Sequence, residues 1–76
     1  MGKDVHVQEL PGIGKKFDVP CADPDMRLTV IAHRDGRKEL YAFEGSSETP
    51  STVITLNEKQ GRILGAVLAN TYFTDA

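Results

Sequence analysis

The chain contains no tryptophan and one cysteine, and its aromatic content is two tyrosines and three phenylalanines in 76 residues. A lone cysteine, Cys21, excludes an internal disulfide framework and fits a reducing cytoplasm better than a secreted mini-protein. Charge of one sign is also lacking. Nine Lys and Arg stand against eleven Asp and Glu, for a net charge of -2. That balance gives no electrostatic footprint for DNA, RNA or anionic lipid. No apolar run approaches the roughly 18 residues of a membrane span, and Met1-Gly2-Lys3-Asp4 leads directly into alternating residues rather than a targeting segment. The sequence therefore reads as a soluble single domain. At this length a chain buries only about 60% of the surface that its unfolded form exposes, so help from a partner is expected.

Catalytic patterns are scarce too. His6, Cys21 and His33 are the nitrogen and sulfur metal-ligand candidates, and no two of them have a zinc-site spacing. Cys21 follows Pro20 in a turn with no base beside it in sequence, which reads as a spectator thiol. Asp23 and Asp25 lack the further oxygen ligands of a calcium loop and read as turn formers. Without a nucleophile–base pair or a metal cluster, the expectation is a binding module that needs no cofactor, not an enzyme.

The Gly12-Ile13-Gly14-Lys15 stretch invites a phosphate-binding reading. A P-loop, however, places four residues between its first glycine and the Gly-Lys pair, followed by Ser or Thr. A dinucleotide fingerprint needs a third glycine three positions on, where Phe17 stands. Pro11 fixes its own φ while Gly12 and Gly14 permit positive φ, so the stretch reads as a tight connection between two strands. A small phosphate-ligand site built on Gly12, Gly14, Lys15 and Lys16 is kept as a third reading.

Period-two alternation predicts strands over Val5 to Leu10 and Lys15 to Val19, and an apolar run predicts another over Leu28 to His33. Asp35-Gly36, set between two β-like runs, predicts a two-residue type I′ hairpin with Arg34 opposite Arg37. That register would set His33 against Lys38, Ile31 against Leu40, Val30 against Tyr41 and Leu28 against Phe43. One face would then carry Leu28, Val30, Ala32, Tyr41 and Phe43, and the other Thr29, Ile31, Leu40 and Ala42. Both faces want cover. An imidazole opposite Lys38 would have its charged form disfavoured. The simpler reading of His33 is an exposed histidine at a hairpin end.

Gly45 to Ser51 has turn composition, and a short strand is expected from Thr52 to Ile54. Thr55-Leu56-Asn57-Glu58 reads as a capping box, with Thr55 as the cap of a helix from about Leu56 to Asn70. Leu56, Ile63, Leu64, Val67 and Leu68 form its apolar stripe, which should cover one sheet face. Gly61 and Gly65 weaken that helix and are read as sites of close sheet packing. The predicted fold is α+β: a small antiparallel sheet of about five short strands with one C-terminal helix packed on one face.

Three segments together resemble a known family: Glu9-Leu10-Pro11-Gly12-Ile13-Gly14-Lys15-Lys16-Phe17, Ile31-Ala32-His33-Arg34-Asp35-Gly36-Arg37-Lys38-Glu39-Leu40-Tyr41-Ala42-Phe43, and Gly65-Ala66-Val67-Leu68-Ala69-Asn70-Thr71-Tyr72-Phe73. They resemble the N-terminal domain of KhtT-type regulatory subunits of bacterial potassium/proton antiporters. The resemblance covers nearly the whole chain. It implies a regulatory, non-transporting domain over residues 1–70. Residues 71–76 would form a junction toward a TrkA-C (RCK-C) domain, which in that family carries ligand binding, including cyclic di-AMP recognition.

The resemblance further implies a homodimer whose partner is a membrane cation/proton antiporter subunit. The domain would then lie in the cytoplasm, peripheral to the inner face of the cell membrane. The segment Gly45 to Pro50 departs from the acidic loop common in that family. Expected partner contacts are Lys15, Lys16, Ile31, Leu40, Tyr72 and Phe73. The alternative is a stand-alone protein-interaction domain, unrelated to transport, that uses a strand edge or an apolar face.

Overall fold

The computed structural model of the chain describes residues 5–72. Five strands, β1 (His6–Leu10), β2 (Gly14–Pro20), β3 (Met26–His33), β4 (Lys38–Glu44) and β5 (Thr52–Leu56), precede one helix, α1 (Glu58–Leu68). The strands form an antiparallel meander in the order β1-β2-β3-β4-β5. The predicted α+β class and strand count are borne out.

The glycine-rich opening is a turn. Ile13 N donates to Leu10 O at 2.9 Å, and Gly12 at the third turn position has φ +78°. Proline followed by a glycine at positive φ is the sequence requirement of a type II turn. Gly14 answers a different constraint. A Cβ built on it would lie 1.9 Å from the Ala32 carbonyl oxygen, and its φ is +153°. Arg34 N also donates to Ile13 O at 2.8 Å, so this turn is tied to the far end of β3. Gly14 thus admits the neighbouring backbone of β3, while Gly12 supplies the positive φ of the turn.

The β3–β4 turn corrects the expected register. Gly36 N donates to His33 O at 3.0 Å, and His33 N donates to Arg37 O at 2.9 Å. Arg34, Asp35 and Gly36 thus form a three-residue loop, with Gly36 at φ +102° in the position that closes a type I turn and bulge. Asp35 reinforces it: its carboxylate accepts from Arg37 N at 3.0 Å and from Arg37 Nε at 2.9 Å. Arg37's amide and guanidinium hold that carboxyl below its ordinary range. The third loop residue shifts every pair by one. Val30 opposes Leu40, Ile31 opposes Glu39, Thr29 opposes Tyr41 and Ala32 opposes Lys38.

The helix start also moves. Thr55 and Leu56 stay in β5, opposite Glu39 and Lys38, so Thr55 is not the cap. Asn57 is, in a reciprocal capping box with Gln60: Gln60 N donates to Asn57 Oδ1 at 2.7 Å, and Asn57 N donates to Gln60 Oε1 at 3.1 Å. The first turn leans toward β4, where a Cβ on Gly61 would lie 3.0 Å from Lys38 Cγ. At Gly65 nothing lies within 4 Å, so that glycine does not mark close packing. Further along, the stripe faces water: Ile63 is 42% and Leu68 75% exposed.

Among the described residues no apolar side chain is buried, whereas Thr29 is, at 7% exposed. The sheet is therefore a layer that lacks its second layer. Two substitutions separate the glycine roles. Gly14→Ala is expected to destabilise by about 1–3 kcal/mol through backbone strain and the Ala32 clash. Gly65→Ala, in a helix with open space, should stabilise by about 1 kcal/mol. Urea midpoints of the two variants against the parent check both signs.

Candidate functional site: the two faces of the sheet

Because paired residues share a face and neighbours along a strand alternate, the observed register assigns every strand residue to one of two sides. One side gathers Phe17, Val19, Leu28, Val30 and Leu40 in the central strands, with Val7 and Ile54 on the outer ones. The central residues are half-buried; Val7 and Ile54 are exposed. Charge appears toward its borders, as Glu9 opposite Lys15, Lys38 opposite Leu56 and Glu44 opposite Met26. This is the face that a partner layer would cover.

The other side carries most of the polar groups of the central strands, and several of them are paired with one another. Thr29 Oγ1 donates to Asp18 Oδ1 at 2.8 Å across β2 and β3. Glu39 Oε1 is shared: His33 Nε2 lies 2.6 Å from it, and the Tyr41 hydroxyl donates to it at 3.1 Å. Arg27 sits 4.7 Å above the Phe43 ring centroid, and its guanidinium donates to Gly45 O and Ser47 O, which fixes the loop after β4. A shallow cleft of about 610 Å³ runs over Lys16, Asp18, Arg27, Ile31, Tyr41 and Phe43.

Charge states follow from these pairs. The His33 hydrogen bond is the main influence that holds the Glu39 carboxyl below its ordinary value; burial opposes it and the Tyr41 hydroxyl adds to it. Burial, then the Glu39 hydrogen bond, raises Tyr41. His33 thus faces a carboxylate and not Lys38, which corrects the expected neighbour. Among the described residues no cluster of three or more His, Cys, Asp or Glu could hold a metal ion. Asp18, Thr29, His33, Glu39 and Tyr41 are each engaged by a neighbour on this side.

The residues expected to form contacts are split between the faces. Lys15 and Leu40 lie on the apolar side, and Lys16 and Ile31 on the polar side, where they oppose each other. Ile31 and Leu40 are therefore not a cross-strand pair. Lys15 and Lys16 therefore lie on opposite faces of β2 and are not brought together as one cationic site. Tyr72 is 51% exposed, and Phe73 lies outside the described residues. Asp18, Thr29, Glu39 and the Arg27–Phe43 stack were missed. Only the three-residue turn, with glycine in its third place, would have brought Thr29, Glu39 and Tyr41 to one side.

Known proteins match this chain. The model of the family described as "K(+)/H(+) antiporter subunit KhtT, N-terminal domain" matches residues 3–72. The K(+)/H(+) antiporter subunit KhtT of Bacillus subtilis (strain 168) is 33% identical over 66 residues, covering 86% of this chain and 39% of the relative. Uncharacterized protein YrvC of the same organism is 35% identical over 65 residues, covering 84% and 39%. The ammonium/H(+) antiporter subunit AmhM of Alkalihalophilus pseudofirmus is 33% identical over 61 residues, covering 79% and 36%. The chain thus spans under two fifths of the length of these relatives.

A carboxyl held low in the fold contributes stability that is present above its unfolded value and is lost as pH falls through its folded value. For Glu39 that window lies below the ordinary 4.5. Glu39→Gln should therefore lose stability near neutral pH, and the gap to the parent should close as pH falls below 4.5 through the folded value of Glu39. Urea midpoints of parent and variant across that range measure the gap.

Proposed function

The chain belongs to the family of N-terminal domains of the K(+)/H(+) antiporter subunit KhtT, and from that premise we propose that it is a regulatory, non-transporting domain of a monovalent cation/proton antiporter. It acts at the inner face of the cell membrane through contacts with the membrane subunit, with the remainder of its own protein, and with a second copy. The observation that carries this reading is the half-buried apolar face, assembled from all five strands and left without a covering layer. A family named for a subunit supplies the kind of partner such a face needs.

No helix among the described residues is long and apolar enough to cross a membrane, so the helix seen here does not supply the transport path. The relatives' names are those of antiporter subunits and name two different cations, potassium and ammonium. A domain that makes protein contacts and leaves ion choice to the membrane subunit accommodates both. Leu40 is assigned to the apolar contact with Lys15 at its border, and Lys16, Ile31 and Tyr72 to secondary contacts. Regulation further requires that the domain bind two transporter states unequally, since equal affinity shifts no population.

The test uses the full-length protein that contains this domain, reconstituted with its membrane subunit. Val7 is 52% exposed on the apolar face, so Val7→Lys should leave the thermal midpoint of the domain nearly unchanged. The same substitution should weaken the complex by at least about tenfold, measured by titration, and abolish the regulatory change in cation flux. Unchanged affinity and flux in that variant, and in a variant lacking the domain, would exclude the proposed contact and leave a stand-alone interaction domain as the better reading.

A further inference from the structure

The strand order leaves one edge of β5 and one edge of β1 outside the ladder. An edge strand offers a row of amide and carbonyl groups to any strand that reaches it, and natural sheets blunt such edges with charge, proline, bulges or cover. β1 is blunted by His6, Gln8 and Glu9. β5, Thr52-Val53-Ile54-Thr55-Leu56, carries no charge, proline or glycine, and Val53 and Ile54 are 49% and 48% exposed. The first turn of α1 leans toward β4, with Glu58 against Gly36 and Gly61 against Lys38, and so away from the open edge.

We propose that β5 is a homophilic seam, pairing antiparallel with β5 of a second copy about a twofold axis through Ile54. The proposal rests on the self-association put forward above and specifies its surface. Centred on Ile54, Thr52 opposes Leu56 of the second copy and Val53 opposes Thr55, so no like charges meet and all five residues pair. Centring on Val53 would draw Pro50, which has no amide to donate, into the ladder. Centring on Thr55 would draw in Asn57, whose side chain and amide are already engaged in capping α1. The Ile54 register also sets the two apolar faces edge to edge, because Ile54 and Leu56 lie on that side.

Five paired residues bury well under the roughly 1,000 Å² of a stable interface, so the seam is weak and depends on concentration. Sedimentation of the 76-residue chain tests it. The parent should show a monomer–dimer equilibrium. Ile54→Lys and Ile54→Asp, each placing like charges across the axis, should each associate at least about tenfold more weakly, with unchanged circular dichroism. An equimolar mixture of the two variants should restore the dimer. Undiminished association of both variants would overturn the seam while leaving self-association intact. A mixture that fails to recover would overturn the Ile54 register, and a parent monomeric at every concentration would overturn both the seam and self-association through this domain.

Discussion

The backbone of Gly36 is the constraint on which the rest of the molecule depends. Its positive φ closes a three-residue turn between β3 and β4, and that single extra residue decides which side chains share a face. With it, Val30 meets Leu40, and Thr29 and Tyr41 go to the opposite side. A two-residue turn would have put Leu28 and Val30 beside Tyr41 and Phe43 on one face, and Thr29 and Ile31 beside Leu40 on the other. The actual turn separates them into one apolar face and one self-paired polar face. Asp35 holds the loop by accepting from both the amide and the guanidinium of Arg37, so the register is written into three consecutive residues.

The sorting leaves the domain with a layer and no counter-layer. Polar groups on the wet face satisfy one another: Asp18 with Thr29, Glu39 with His33 and Tyr41. On the dry face the aliphatic side chains of β2, β3 and β4 are only half-buried, and the apolar stripe of α1 turns its far end to water. An α+β domain gains most of its stability by burying such a face against another layer. A domain built this way couples its own stability to its contacts, because whatever covers the face also stabilises the fold.

Much of this was legible in the residues. Alternation placed β1 and β2, an apolar run placed β3, and Pro11, Gly12 and Gly14 were correctly read as the connection between the first two strands. What escaped was geometry that depends on one residue. Asp35-Gly36 is compatible with a two- or a three-residue loop, and the three-residue form is the one closed by the His33 to Arg37 bond and tied by Arg34 to the distant Ile13. Likewise Thr55 and Asn57 are both good caps, and pairing of Thr55 with Glu39 in the sheet decides between them. Gly61 and Gly65 look alike in sequence, yet only Gly61 is approached closely by another side chain. The shared Glu39 oxygen was unreadable because the register that assembles it was displaced.

The relation to antiporter subunits gives the uncovered face a biological setting, and the central claim is that this face is the working surface while the polar face stays wet. Methyl NMR with a soluble paramagnetic probe addresses it directly, comparing the domain alone with the full-length protein bound to its membrane subunit. Protection of the Val19, Leu28, Val30 and Leu40 methyls in the complex, with Ile31 on the polar side still accessible, is the result expected. Equal accessibility of both faces in the complex, or protection of Ile31 alone, would contradict it.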